Sequence, residues 1–113
     1  MFDNANVDGD TMTESLSQLF RLPPNGVPMT IKESFQVEGS PTTWGVPAMK
    51  DNVTQTTSVL AQRMIDAGVT LFGKTNVPVM LADWQSYNSI YGTTNNPWDT
   101  GRTPGGSSGG SSA

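Results

Sequence analysis

The chain contains no cysteine and no histidine. Those two absences remove whole mechanisms: disulfides, thiolate nucleophiles, Cys/His zinc sites and a Ser-His-Asp triad cannot be assembled from these residues. A general base within the chain must therefore be Lys, Asp or Glu. Charge is sparse, at 14% of residues, and basic charge is sparser still: Lys plus Arg number 6 against 10 Asp plus Glu, a formal net charge of −4. A general nucleic-acid binder needs a basic face to displace counterions from phosphate, so nucleic acid is not an expected partner. Long apolar runs are missing too. Val69-Thr70-Leu71-Phe72 is among the longest, whereas a membrane-spanning helix needs about 20 residues. Met1 to Asp10 is acidic and lacks the apolar core of a secretory signal. No run of like charges suggests a membrane-surface segment or a charged tail. A reducing cytoplasm is the expected compartment, which the absence of cysteine fits.

What is present is loop-forming: 12 Gly and 8 Pro in 113 residues, a length that suits one modest domain. Residues 1–10 read as a disordered leader. Thr11-Met12-Thr13-Glu14 fits a capping box opening a short helix through Leu16, Leu19 and Phe20, stopped at Pro23-Pro24-Asn25-Gly26. Val27, Met29 and Ile31 alternate with Pro28, Thr30 and Lys32, the period of a strand. Residues 36–55 are punctuated by Gly39, Pro41, Gly45 and Pro47 and read as loop. Thr56 or Thr57 is placed to cap a helix carrying Val59, Leu60, Met64 and Ala67, with Gly68 ending it. Val69 to Phe72 follow as a short buried strand, and Val79 to Trp84 as another short helix. From Ser86 to Gly106 the chain is nearly all turn formers. Helix followed by strand implies an α/β construction.

Two glycine motifs invite other readings. Gly68 to Thr75 satisfies the phosphate-loop expression G-x-x-x-x-G-K-[ST], which would make the chain a nucleotide binder. A phosphate loop follows a strand and opens a helix with its N–H groups turned inward. Here the intervening residues are apolar and β-branched, follow a helix, and precede Pro78. Lys74 therefore reads as a strand-end lysine with its stem packed and its head solvated or hydrogen-bonded. The second motif, Gly105-Gly106-Ser107-Ser108-Gly109-Gly110-Ser111-Ser112, reads on composition alone as a flexible linker. The sequence leading into it argues otherwise, although Ser111 to Ala113 stay open to that reading.

From Gly26 onward four stretches carry a resemblance: Gly26-Val-Pro-Met-Thr-Ile-Lys32-Glu33, Gly73-Lys74-Thr75-Asn76, Thr94-Asn95-Asn96-Pro97-Trp98-Asp99, and Arg102-Thr103-Pro104-Gly105-Gly106-Ser107-Ser108-Gly109-Gly110. In order and spacing they resemble the amidase-signature family of serine amidohydrolases. The resemblance implies a fragment of one large α/β domain with a mixed central sheet flanked by helices. It divides the chain into residues 1–25, a leader and short helix, and residues 26–113, a partial amidase-signature domain. It also implies a Lys, cis-Ser, Ser apparatus in which Lys32 matches the lysine, Ser107 the serine of the cis peptide and Ser108 a supporting serine. The implied partner is a small-molecule amide. No cofactor, metal or membrane is implied, and the oligomeric state is left open. Met80 to Trp84 are pocket-side candidates by the same resemblance, with core packing as the alternative for Met80 and Leu81.

The residue types suit that chemistry independently. A serine hydroxyl is a poor nucleophile until a base takes its proton, and without histidine a neutral lysine amine is the available base. A hydroxyl standing between lysine and nucleophile accepts and donates together, so it relays the proton and later returns it to the leaving amine. The family's nucleophile belongs to an Asp-x-Gly-Gly-Ser element about two dozen residues beyond the cis-serine, whose backbone N–H groups also form the oxyanion hole. No such element occurs in these 113 residues. The expectation is a fragment of an amidase, truncated before its nucleophile and inactive alone. The competing expectation, from another class, is a non-catalytic remnant or interaction module.

Overall fold

The computed structural model describes residues 26–113; the expected leader, the Thr11 to Glu14 capping box and the helix through Phe20 lie outside the described residues. Strand β1, Val27–Lys32, runs parallel to β2, Val69–Thr75. The helix between them in the chain is α1, Val59–Asp66. Parallel strands need such a crossover, because no tight turn can bring a second strand back in the same direction. Of the alternating apolar set on β1 only Ile31 is buried, and Val27 is 58% exposed. Register runs from Val27↔Val69 to Lys32↔Thr75 with one irregularity: Met29 pairs with Leu71 and Thr30 with Gly73. Phe72 is the extra residue. It has no cross-strand partner and is 55% exposed, so the short buried strand expected over Val69 to Phe72 is longer and less buried than its apolar composition suggested.

Two helix expectations need correction. The N-cap of α1 is Ser58, not Thr56 or Thr57: the Ser58 carbonyl accepts the first helical bond from Gln62 N at 2.9 Å, while Thr57 Oγ1 is committed to Glu38 N at 3.0 Å. Gly68 does close the helix, with φ +90° and its N–H bonded to Ile65 O at 2.9 Å. The helix expected over Val79 to Trp84 is only a single 3-10 turn, Val79–Leu81. Met80 and Leu81 sit at φ +55° and +61°, on the wrong side of φ for continuing a right-handed helix. Tertiary bonds take the backbone groups a helix would use, since Met80 N donates to Trp44 O at 2.8 Å and Val77 O accepts from Asn88 Nδ2 at 2.8 Å.

The loop over 36–55 contains one 3-10 turn, Pro47–Met49, and a bridge between Pro41 and Val53. Within the turn-rich stretch, β3, Tyr87–Asn88, pairs antiparallel with β4, Gly92–Thr93. The Asn88 side chain closes the turn between them by accepting from Ile90 N at 2.9 Å and Tyr91 N at 2.8 Å. The Gly/Ser run is not a linker: Gly109–Ser112 form a helical turn, α2, and Ser111 Oγ lies 2.7 Å from Thr75 Oγ1 at the end of β2.

Among the described residues the buried apolar side chains are Ile31, Ala61, Val77 and Pro78, against six polar or charged ones, Glu33, Thr42, Thr43, Thr54, Ser86 and Asn88. Hydrogen bonding to buried polar groups thus organises the described residues more than an apolar core does. Val59 on α1 is 70% exposed and Leu60 50%. The described residues are an incompletely covered part of an α/β domain. None of their helices is long and apolar enough to cross a membrane.

Candidate active site

Lys32 and Thr75 are register partners at the carboxyl ends of the two parallel strands. That end of an open parallel sheet is where ligands are generally bound. Lys32 Nζ donates to Ser107 Oγ at 2.7 Å and to Ser108 Oγ at 3.3 Å. The three residues singled out from the sequence therefore meet, although 75 positions separate the lysine from Ser107. Lys32 and Ser107 are half-buried and Ser108 is exposed. The Gly106–Ser107 peptide bond is cis.

The strand ends hold the serine loop in place. Ser86, 1% exposed, accepts from Gly109 N at 2.9 Å and donates to Ser107 O at 3.4 Å, so one hydroxyl ties both sides of Ser108. Gly110 rests directly on the backbone of Asn76: a β-carbon there would lie 2.5 Å from Asn76 N and 2.8 Å from Asn76 O. Only glycine permits that approach. The Asn76 amide in turn donates to Gly92 O at 3.1 Å and Thr94 Oγ1 at 3.0 Å, while its oxygen accepts from Val77 N at 2.9 Å and Asn88 Nδ2 at 2.8 Å. Sequence reasoning quoted Asn76 as part of a motif without giving it a task, and it missed Ser86. One serine among many carries no signal until its burial is known.

Glu33 follows Lys32 but faces the other way, into the interior. Its carboxylate accepts from Thr43 N at 2.6 Å, Trp44 N at 3.0 Å and Tyr91 Oη at 3.1 Å. Trp44 O then receives Met80 N, so this buried carboxylate fixes a loop that fixes the left-handed turn at Met80 and Leu81. Lys74 Nζ donates to Pro41 O and, at 2.8 Å, to Thr42 Oγ1. Burial pulls the Lys74 ammonium below its ordinary value and the Glu33 carboxylate draws it partly back. Burial also raises the Tyr91 phenol above its ordinary value, with Glu33 adding to the rise and the Thr43 hydroxyl opposing it. Glu33, Lys74, Asn76 and Tyr91 line a cavity of about 690 Å³. The phosphate-loop expression does not describe a phosphate loop here: Val69 to Thr75 is strand β2, and the lysine head is occupied by Pro41 and Thr42.

A second cleft, of about 310 Å³, opens beside Ser107 and is lined by Leu81, Ala82, Asp83, Trp84 and Gly106. Four of the five pocket-side candidates thus lie on it, and Met80 does not. Asp83 Oδ2 accepts from the Tyr87 hydroxyl at 3.0 Å, a bond that raises the Tyr87 phenol above its ordinary value.

The family model described as Amidase matches residues 1–113, and the chain belongs to the amidase-signature family. It is 39% identical over 112 residues to a glutamyl-tRNA(Gln) amidotransferase subunit of Prochlorococcus marinus, an alignment covering 98% of this chain and 23% of that relative. Among solved structures it is similar to 6-aminohexanoate cyclic dimer hydrolase in complex with substrate, at 38% identity and a TM-score of 0.70 over 75% of this chain and 18% of that one. It is also similar to the corresponding glutamyl-tRNA(Gln) amidotransferase subunit of Thermotoga maritima, at 31% identity and a TM-score of 0.69 over 74% of this chain and 19% of that one. The chain spans less than a quarter of the length of each of these relatives. The fold is accordingly that of a part of the amidase-signature domain.

Proposed function

We propose that residues 26–113 contribute the proton-relay half of a serine amidohydrolase, which hydrolyses a small-molecule carboxamide to a carboxylate and ammonia or an amine. The observation that carries this reading is the 2.7 Å contact between Lys32 Nζ and Ser107 Oγ at the carboxyl ends of the parallel strands, in a chain of amidase-signature descent. The attacking serine comes from outside these 113 residues, which contain no Asp-x-Gly-Gly-Ser element.

In this reading the Lys32 amine accepts the Ser107 hydroxyl proton along that line, while Ser107 Oγ takes the proton of the attacking serine. The serine oxygen bonds to the amide carbon, and the negative charge moves to the former carbonyl oxygen. The Lys32 ammonium then returns a proton through Ser107 to the leaving nitrogen, the C–N bond breaks, and an acyl-serine remains. Water, deprotonated through the same relay, releases the carboxylate and restores the serine. Ser108, 3.3 Å from Lys32 Nζ, holds the amine on line with Ser107. Ser86 and Asn76 hold the loop that presents both serines.

The test is ammonia or amine release by the full-length protein from a panel of small carboxamides, with and without Lys32→Ala. Turnover that falls by about 10²- to 10⁴-fold in the variant is expected, the span typical of removing a positioned acid–base group. Turnover that survives Lys32→Ala within a few-fold, or hydrolysis by the isolated 113 residues, contradicts the proposal.

A further inference from the structure

The cleft beside Ser107 has walls of unlike chemistry. Leu81 and Ala82 supply apolar surface, whereas Asp83 and Trp84 supply a carboxylate and an indole side by side. Trp84 is 86% exposed, so none of the described residues covers its ring faces. Asp83 is half-buried, and the Tyr87 hydroxyl donates to one of its oxygens, Oδ2, at 3.0 Å. The other oxygen makes no hydrogen bond among the described residues, and neither lysine nor arginine lines the cleft. Tyr87 thus orients the carboxylate without neutralising it.

An oriented carboxylate next to an open aromatic face is a recognition element for organic cations. The indole attracts a cation through its ring quadrupole, and the carboxylate attracts it directly and accepts N–H donors where the cation has them. An amide of a hydrophobic acid would find only part of this wall complementary, and an anionic substrate would meet repulsion from Asp83. Resting on the amidohydrolase reading above, we propose that Asp83 and Trp84 select amides that carry an ammonium or quaternary ammonium group near the scissile bond. Leu81 and Ala82 contact the uncharged carbon chain between that group and the amide.

The experiment compares two amides of equal length and shape on the full-length protein, one ending in trimethylammonium and the other in the neutral tert-butyl group. The cationic amide should show a kcat/KM about tenfold higher, the size expected of a cation–π contact combined with a partly solvated ion pair. That advantage should shrink as salt is raised, because the carboxylate is open to screening. The ratio of the two rates, taken within each variant, should approach one in Asp83→Asn and fall in Trp84→Leu. Equal rates on the two amides, a ratio insensitive to salt, or a ratio unchanged in both variants overturns the selection of cations while leaving the amidohydrolase reading intact. Hydrolysis of neither amide, nor of any neutral carboxamide, overturns that reading and this inference with it. The salt series on the unsubstituted protein decides the matter even if Asp83→Asn fails to fold.

Discussion

Gly110→Ala isolates the contact that seats the serine loop on the strand end. The added β-carbon would lie 2.5, 2.8 and 3.1 Å from the N, O and Cα of Asn76, all backbone atoms. The shortest of these is roughly 0.9 Å inside ordinary van der Waals separation. Asn76 cannot give way easily, because its side chain is tied to Gly92, Thr94, Val77 and Asn88. Therefore α2 must lift, and Ser107 and Ser108 move with it away from Lys32. A misplacement approaching 1 Å at a reacting group costs on the order of 10²-fold in rate, and the overpacking itself costs about 1–3 kcal/mol of stability. The assay is kcat/KM with a melting curve on the full-length protein, with Gly73→Ala as the matched control. A β-carbon at Gly73 meets nothing within 4 Å, so that variant should stay within about twofold, and removing a strand glycine should stabilise by about 0.4–1 kcal/mol. Wild-type kinetics and an unshifted melt for Gly110→Ala would refute the claim that α2 sits on Asn76.

Other perturbations separate the remaining parts. Ser86→Ala leaves the Gly109 N–H buried without its acceptor, a cost of about 1–3 kcal/mol; it should lower kcat more than it changes KM, and Ser86→Thr should recover part of the loss. Glu33→Gln turns one of two accepting oxygens into an amide that faces a backbone N–H or the Tyr91 hydroxyl. Chemical denaturation should show a loss of about 1.5–3 kcal/mol, against almost none for Glu38→Gln on the exposed loop. Lys74 gives a pH signature. Below its lowered folded value both states hold the proton and the desolvated charge burdens the fold in full. Between that value and the ordinary 10.5 the unfolded chain keeps a proton the folded one has released, so stability rises with pH. Lys74→Met should abolish that rise. The Tyr91 phenol acts oppositely, its contribution being present below 10.0 and lost as pH climbs through its raised value. The parent-minus-variant difference, preferably in a Tyr91→Phe background, is therefore the quantity to compare. Titration with a nucleoside triphosphate should give no saturable signal, since Gly73-Lys74-Thr75 is strand and the lysine head is occupied.

The elements with a periodic apolar signature were legible in the sequence. Alternation marks β1, and the spacing of Val59, Leu60 and Met64 before Gly68 marks α1 and its end. What stayed hidden depends on partners distant in the chain. Thr57 has a good capping side chain, but the Glu38 N–H claims it, so the helix starts one residue later. Val79 to Trp84 has helical composition, yet a hydrogen bond from Met80 to Trp44 turns the backbone left-handed. Phe72 reads as core until the bulge leaves it without a cross-strand partner. The Gly/Ser run reads as linker until Ser86, Asn76 and Thr75 supply the contacts that order it. Of the candidate site, Lys32, Ser107 and Ser108 were found through a resemblance spread over four stretches, and no local feature would have identified any one of them. Ser86 escaped because its position between two sides of a loop is a fact of tertiary structure alone.

The central claim is that the Ser107 hydroxyl carries the proton between Lys32 and the attacking serine. The most direct measurement is the kcat of the full-length protein for a small carboxamide in Ser107→Ala, with circular dichroism and a melting curve to establish that the fold is retained. The account predicts a fall of about 10²- to 10⁴-fold in the folded variant. A folded Ser107→Ala protein that turns over within a few-fold of the parent would show that the proton travels by another route.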